Sequence, residues 1–257
     1  MALARADLEL LLRARQLDRT LTTSLPQLDP RDDVALAPSG ITALDARLGG
    51  GFPRGQLSEL VGPRSSGRTS LLLQMMAAAT ARGELVALVD ALDMLDVESA
   101  VSAGVDLARL LWIRGHVVVN PGMCRDLNQR AMEQAIRALT LVLQAGNFGL
   151  VALDIADAPA DAVRRLPFTT WMRLQRMIEG SQTACVLVGS HPMARSAAGL
   201  TLQLGIANLG IANLECGRRF NAQLFDGLNV DARVVRARAR EREEANVALR
   251  TVASDCA

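Results

Sequence analysis

The stretch Gly62-Pro63-Arg64-Ser65-Ser66-Gly67-Arg68-Thr69 constrains this chain more than any other. It fits G-x-x-x-x-G-K-[ST] at every fixed position except the lysine, which is Arg68. Residues 56–61 before it read as a buried strand, and residues 70–82 after it as a helix rich in Ala, Leu and Met. Strand, loop and helix in this order aim backbone N–H groups and a helix N-terminus at a phosphate. A lysine offers a compact ammonium there; a larger, planar guanidinium does not reproduce its contacts in the same space. The motif therefore speaks strongly for a phosphate-loop α/β fold and less directly for nucleotide chemistry. Gly62, Pro63, Ser65, Ser66, Gly67, Arg68 and Thr69 are the candidate residues of a degenerate nucleotide site.

Composition sets the outer limits. A chain of 257 residues that is 50% hydrophobic suits one large α/β domain with a sizeable core. No apolar run reaches the ~18 residues of a membrane span, and no signal peptide is visible, so a cytoplasmic protein without membrane contact is expected. Cys124, Cys185, Cys216 and Cys256 show no CxxC pairing, and His116 and His191 lie far apart, so no metal site is expected. Every basic side chain apart from the histidines is Arg, and Lys and Tyr are absent. A GC-rich coding bias explains this pattern, and drift under it is the plain alternative to a purposeful Arg68.

Residues 2–17 read as an amphipathic helix, packed on the chain's own core or docked on another protein. The expected organisation is an N-terminal helix (1–21), a linker (22–38), a core (39–229) and an Arg-rich C-terminal segment (230–257). Ser39 to Asp45 looks like the start of a capped short helix reaching Leu48, and residues 49–55 like a flexible turn. Residues 85–90 form an apolar strand ending in Asp90; a short helix (97–103) and a strand (107–113) follow. Asn120-Pro121 opens a helix to Ala145, with Met132, Ala135, Ile136, Leu139 and Leu143 on one face. Residues 150–154 are an apolar strand ending in Asp154, a Walker-B pattern whose acid holds Mg²⁺, so Asp154 joins the candidate site. Beyond it Asp157 and Asp161 stand against Arg164 and Arg165. A helix over 167–179 carries Arg173 and Arg176 on a solvated face, and a strand over 184–188 precedes Gly189-Ser190. Residues 204–213 repeat Leu-Gly-Ile-Ala-Asn in tandem, most simply a local duplication. Arg233, Arg236, Arg238, Arg240 and Arg242 read most plainly as a solvated strand or tail, and are the candidates for nucleic-acid or partner contact. The last four share one face if extended and scatter, partly neutralised by Glu, if helical.

From Gly40 through Asp96 the chain resembles the RecA recombinase core: the S-G-x-x-x-L-D helix start, the Gly-rich turn, the phosphate loop and the next strand occur in family order. The likeness continues more weakly to about Val188. Its short length, altered loop and divergent ends are more similar to the ImuA family, RecA-like accessory proteins of bacterial translesion synthesis. The resemblance implies an α/β, RecA-like P-loop core: a mostly parallel twisted sheet with helices on both faces, an N-terminal helix and antiparallel C-terminal strands. It also implies which chemical groups are missing. The position of the family's water-activating glutamate holds Leu92, and that of its γ-phosphate-sensing glutamine holds Ser190. Asp93 or Asp96 would have to stand in for the glutamate. The segments equivalent to the family's two DNA loops are short and carry no aromatic residue at 191–199 for base stacking.

With lysine, base and sensor gone, the losses compound, each being typically worth ~10²–10⁴ in rate. The expected protein is a non-enzymatic RecA-like accessory factor of SOS-induced translesion synthesis. Its implied partners are RecA, an ImuB-like protein and, through it, a DnaE-type polymerase, with at most weak DNA contact. No cofactor is expected to be turned over; ATP with Mg²⁺ is compatible with the loop but without hydrolysis. Alternatives are a divergent DNA-stimulated ATPase or recombinase, and a division inhibitor resembling SulA. Arg68 is also expected to be able to fill the phosphate site itself by pairing with Asp154 or Asp90.

Overall fold

The computed structural model describes residues 35–116, 125–206, 229–237 and 246–250. The N-terminal helix, the start of the 120–145 helix, the second copy of the tandem and Arg238, Arg240 and Arg242 lie outside them. The strands are β1 (Leu36–Ala37), β2 (Phe52–Pro53), β3 (Leu57–Val61), β4 (Val86–Asp90), β5 (Leu110–Arg114), β6 (Leu150–Asp154), β7 (Ala184–Gly189), β8 (Ala198–Ile206), β9 (Asn229–Ala237) and β10 (Asn246–Arg250). The helices are α1 (Thr42–Leu48), α2 (Arg68–Ala81), α3 (Val97–Ser102), α4 (Arg125–Ala145), α5 (Ala160–Arg164) and α6 (Phe168–Ile178).

Eight of the described strands form one sheet in the order β10-β9-β8-β3-β7-β6-β4-β5. From β8 to β5 every neighbouring pair is parallel; β9 and β10 extend the sheet antiparallel. This is the expected mostly parallel α/β core with antiparallel C-terminal strands. Strands β3, β4 and β7 are buried at every residue because helices cover both faces, hence their continuous apolar sequence. One core lies under α1, α2 and α3, and includes Leu60, Leu88, Ala152, Val186 and Leu202. The other lies under α4 and α6, where Met132, Ile136, Leu139, Trp171 and Leu174 meet Val89, Leu153 and Leu187. Helix α2 is buried on almost all sides, from Leu71 to Thr80, which is why its sequence shows no polar face.

Two boundaries differ from expectation. Leu36–Ala37, inside the stretch read as linker, pair with Phe52–Pro53, inside the stretch read as a turn. The turn is therefore a structural joint: Phe52 is fully buried and Gly51, at φ 135, passes so close to Ala37 that no Cβ fits. Likewise the segment set apart from residue 230 onward supplies most of β9 and all of β10 to the same sheet.

Arg54 ties this joint to the sheet's far side. Its guanidinium donates to the carbonyls of Gly149 (3.1 Å) and Gln182 (2.7 Å) and to Glu84 Oε1 (2.6 Å), with only 11% of the side chain exposed. Burial alone would raise the Glu84 pKa, but hydrogen bonds from Arg82 and Arg54 outweigh it and hold it below the usual value. A planar fork with donors on two sides is required, which a lysine lacks. Arg54→Ala should cost about 2 kcal/mol, since it removes three hydrogen bonds, one of them to the charged Glu84, although Arg82 still donates to Glu84 and Ala184 N to the Gly149 carbonyl, and Arg54→Lys should recover little of it. Urea unfolding midpoints of the three proteins measure this.

Candidate functional site

The phosphate loop leaves β3 at Val61 and enters α2 at Arg68. Its shape is set by close approach to the sheet. Gly62 donates its N–H to the Gly189 carbonyl (3.2 Å), and a Cβ there would fall 2.4 Å from the Leu204 carbonyl oxygen. Gly67 sits at φ 85, where a Cβ would lie 2.9 Å from Val230 Cγ2. Ser65 adopts the left-handed conformation at φ 58, uncommon for a residue with a side chain. Gly67 caps α2 without a side chain, so no side-chain oxygen engages the first-turn N–H groups. Pro63, Ser65 and Thr69 are exposed, whereas Ser66 and Arg68 are buried.

Arg68 does not pair with Asp154 or Asp90, which corrects the expectation. Its Nη2 lies 3.8 Å from Asp157 Oδ1, and Arg64 Nε donates to the same oxygen at 2.9 Å. Asp157, two residues beyond the segment 150–155, is thus the carboxylate that both loop arginines face. Arg68 Nη1 and Ser66 Oγ are buried without a hydrogen-bond partner. Two orphaned donors beside free helix N–H groups fit the oxygens of an anion such as a phosphate.

Asp154 and Asp90 are register partners at the ends of β6 and β4. Burial, with the Asp90 charge adding, pushes the Asp154 pKa up to about 6; the Ala156 N–H at 3.0 Å and Arg68 oppose the shift. Asp90 itself is engaged in structure, accepting from Leu95 N (2.8 Å) and Trp112 Nε1 (3.2 Å).

Leu92 stands where the resemblance places the family's glutamate. Leu92 packs against the core under α4. Neither nearby acid stands free to replace it: Asp93 forms a forked pair with Arg114 (2.6 and 2.7 Å), and Asp96 caps α3 through Ser99. Hydrogen bonding from Arg114 and from Ser99 respectively holds both below the usual aspartate range. Ser190 is exposed at the end of β7. Arg173 and Arg176 lie on the solvated face of α6, as expected. Cys185 is fully buried, which pushes its thiol up to about 12, and the described residues include no cluster of three or more His, Cys, Asp or Glu side chains that could hold a metal by themselves.

Of the C-terminal arginines, Arg233 and Arg236 are exposed on β9. Their odd spacing would place them on opposite faces of a regular strand. A bulge at Val235 corrects this: Arg233 opposes Gln203 and Arg236 opposes Thr201, so both lie on one face. Sequence reading missed two acids that matter. Asp157 was seen only as a neighbour of Arg164 and Arg165. Glu59 was hidden in an apolar strand, yet it is fully buried and accepts from Met193 N (2.6 Å), Ala194 N (2.7 Å) and Thr201 Oγ1 (2.7 Å). A charged residue inside a strand covered on both faces was the available signal.

The Asp154 shift has a sign that can be tested. Its carboxyl titrates near 6 when folded and near 4 when unfolded, so the folded state holds a proton through that window. The group's favourable contribution is present below about pH 4 and is lost as pH rises through 6. Asp154→Asn should therefore become more stable than the parent as pH rises from 4 to 6, with a constant difference above that. Thermal melts at stepped pH give the curve; a difference independent of pH would contradict the shift.

Comparison with known proteins agrees with this geometry. The model of the RecA N-terminal domain matches residues 14–155. Among curated proteins the chain is similar to protein RecA of Clavibacter michiganensis subsp. michiganensis, 39% identical over 131 residues, 51% of this chain and 32% of that protein. It is similar to protein RecA of Streptomyces avermitilis at 37% over 130 residues, 50% and 31% of the two chains. Protein RecA of Acholeplasma laidlawii is 38% identical over 122 residues, 47% and 33%. The match thus spans about a third of the length of these relatives. With over half of its residues matched by that family's model, the chain belongs to the RecA N-terminal domain family.

Proposed function

We propose that this protein is a RecA-like accessory factor of the ImuA type, acting through protein contacts in SOS-induced translesion DNA synthesis without hydrolysing ATP. Its partners on this reading are RecA, an ImuB-like polymerase subunit and, through that subunit, a DnaE-type polymerase. The physical rationale is competition by shape: a RecA-like surface can cap a RecA protomer without building an ATP-bridged filament. The observation that carries the reading is the engagement of the phosphate loop by its own chain, with Arg64 and Arg68 both directed at Asp157. The packing of Leu92 into the core, with Asp93 and Asp96 both engaged, supports it. Transition-state charge would lack its lysine and water would lack a base, and such losses multiply. Any DNA contact through Arg233 and Arg236 is a minor term.

A nucleotide remains compatible with the loop. Residues 62–69 would hold its phosphates, with Ser66 Oγ and Arg68 Nη1 as the donors now without partners, and Asp154 would hold Mg²⁺. Bound there, the nucleotide would supply anionic charge and rigidity to the loop. These same donors are what favours the second reading, a divergent DNA-stimulated ATPase.

The purified chain should convert ATP to ADP no faster than buffer, with or without single-stranded DNA, and should co-purify with RecA and with an ImuB-like protein. Turnover that disappears in Arg68→Ala would select the ATPase. Failure to retain either partner would remove the accessory reading.

A further inference from the structure

A cavity of about 630 Å³ lies beyond the carboxyl ends of β6 and β7 and is lined by none of the phosphate-loop residues. Residues 155–171 form one wall and residues 189–195 the other. Val163, Leu166, Phe168, Trp171 and Met193 supply its apolar surface. Arg164, Arg165, Arg195 and His191 also line it, and among the described residues no carboxylate does. Arg164 is engaged by Asp161 at 2.6 Å. Arg165 and Arg195 are exposed and make no ion pair among the described residues.

The second wall is held in place. Glu59 accepts the N–H groups of Met193 and Ala194. Arg195 sits at φ 47, and its carbonyl accepts from Arg236 Nη1. Met193 lies against the bare Cα of Gly189, where an added Cβ would fall 2.2 Å from its Cε. A preformed apolar cavity with convergent charge needs little ordering when a ligand enters.

We propose that this cavity docks an acidic protein segment that inserts one bulky apolar side chain. The apolar side chain fills the space beside Phe168 and Met193, while flanking carboxylates meet the forked guanidinium groups of Arg165 and Arg195. A single nucleic-acid strand fits the site less well. Trp171 is only 2% exposed and offers no free face for base stacking, which leaves Phe168 alone among the lining Phe and Trp side chains as a ring a base could meet, and a strand would need several. The walls enclose one anchor instead of tracking a backbone. The inference adds a surface to the accessory reading, and its test involves neither ATP nor RecA, so the two stand or fall separately.

The test is fluorescence anisotropy with the full chain and a fluorescein-labelled peptide carrying a central Phe flanked on both sides by Asp. Binding should saturate, weaken with salt, and fall by roughly tenfold or more when the peptide's Phe becomes Ala or in the double variant Arg165→Glu, Arg195→Glu. Both arginines are exposed, so circular dichroism melts should show that the variant still folds. Phe168→Ala should weaken binding without altering the salt dependence. Absence of saturable binding overturns the proposal, as does equal binding of a peptide with Lys in place of Asp. So does tighter binding of oligothymidine that is lost in the same charge-reversed variant.

Discussion

The phosphate loop is packed against the C-terminal strands at the two glycines that frame it, Gly62 and Gly67. Leu204 O on β8 and Val230 on β9 stand where a Cβ at Gly62 or Gly67 would go. These contacts are made by the sheet, not by a ligand. A side chain at either position would push the loop from β8 or β9, and at Gly67 it would also strain a left-handed φ. The loop's shape is therefore required by packing whether or not a nucleotide is ever bound. That separates two properties that normally travel together, the form of a phosphate site and its chemistry.

Arginine then changes what the loop does with its charge. In a chain without lysine, every internal cation must be a planar fork. Arg54 uses that geometry fully, reaching two carbonyls and Glu84. Arg68 uses it partially: one nitrogen approaches Asp157 at 3.8 Å and another is buried with nothing to bond. A buried cation with an unsatisfied donor is costly, so the site is poised toward an anion. Arg64, being largely exposed, adds little to stability through its contact at 2.9 Å, but it brings a second positive charge to the same carboxylate.

The central strands were legible because burial on both faces writes itself as unbroken apolar sequence, as in β6 and β7, whose ends were read to within one residue. The core stripe of α4 was legible for the complementary reason: a single buried face spaces Met132, Ile136, Leu139 and Leu143 at helical intervals. Pairings across long sequence separations were not. Nothing local in Asp157 announces that it faces residues almost a hundred positions earlier, and Glu59 was masked by apolar neighbours. The joint of β1 and β2 was misread because two-residue strands have no period, and glycines required by close approach look like glycines required for flexibility. The bulge at Val235 likewise inverted a face assignment that strict alternation would give.

Residues 155–166 connect these observations. They leave the strand that carries Asp154, bring Asp157 to the loop arginines, and then form α5 and one wall of the cavity. Their near end is engaged by Arg64, and their far end is packed through Leu166 into the core under α4. The opposite wall is pinned by Glu59 from the strand that feeds the phosphate loop. Both walls are thus referenced to the same rigid sheet, one through β6 and one through β3. The loop that could hold a phosphate and both walls of the cavity therefore share one frame, the parallel strands of the sheet.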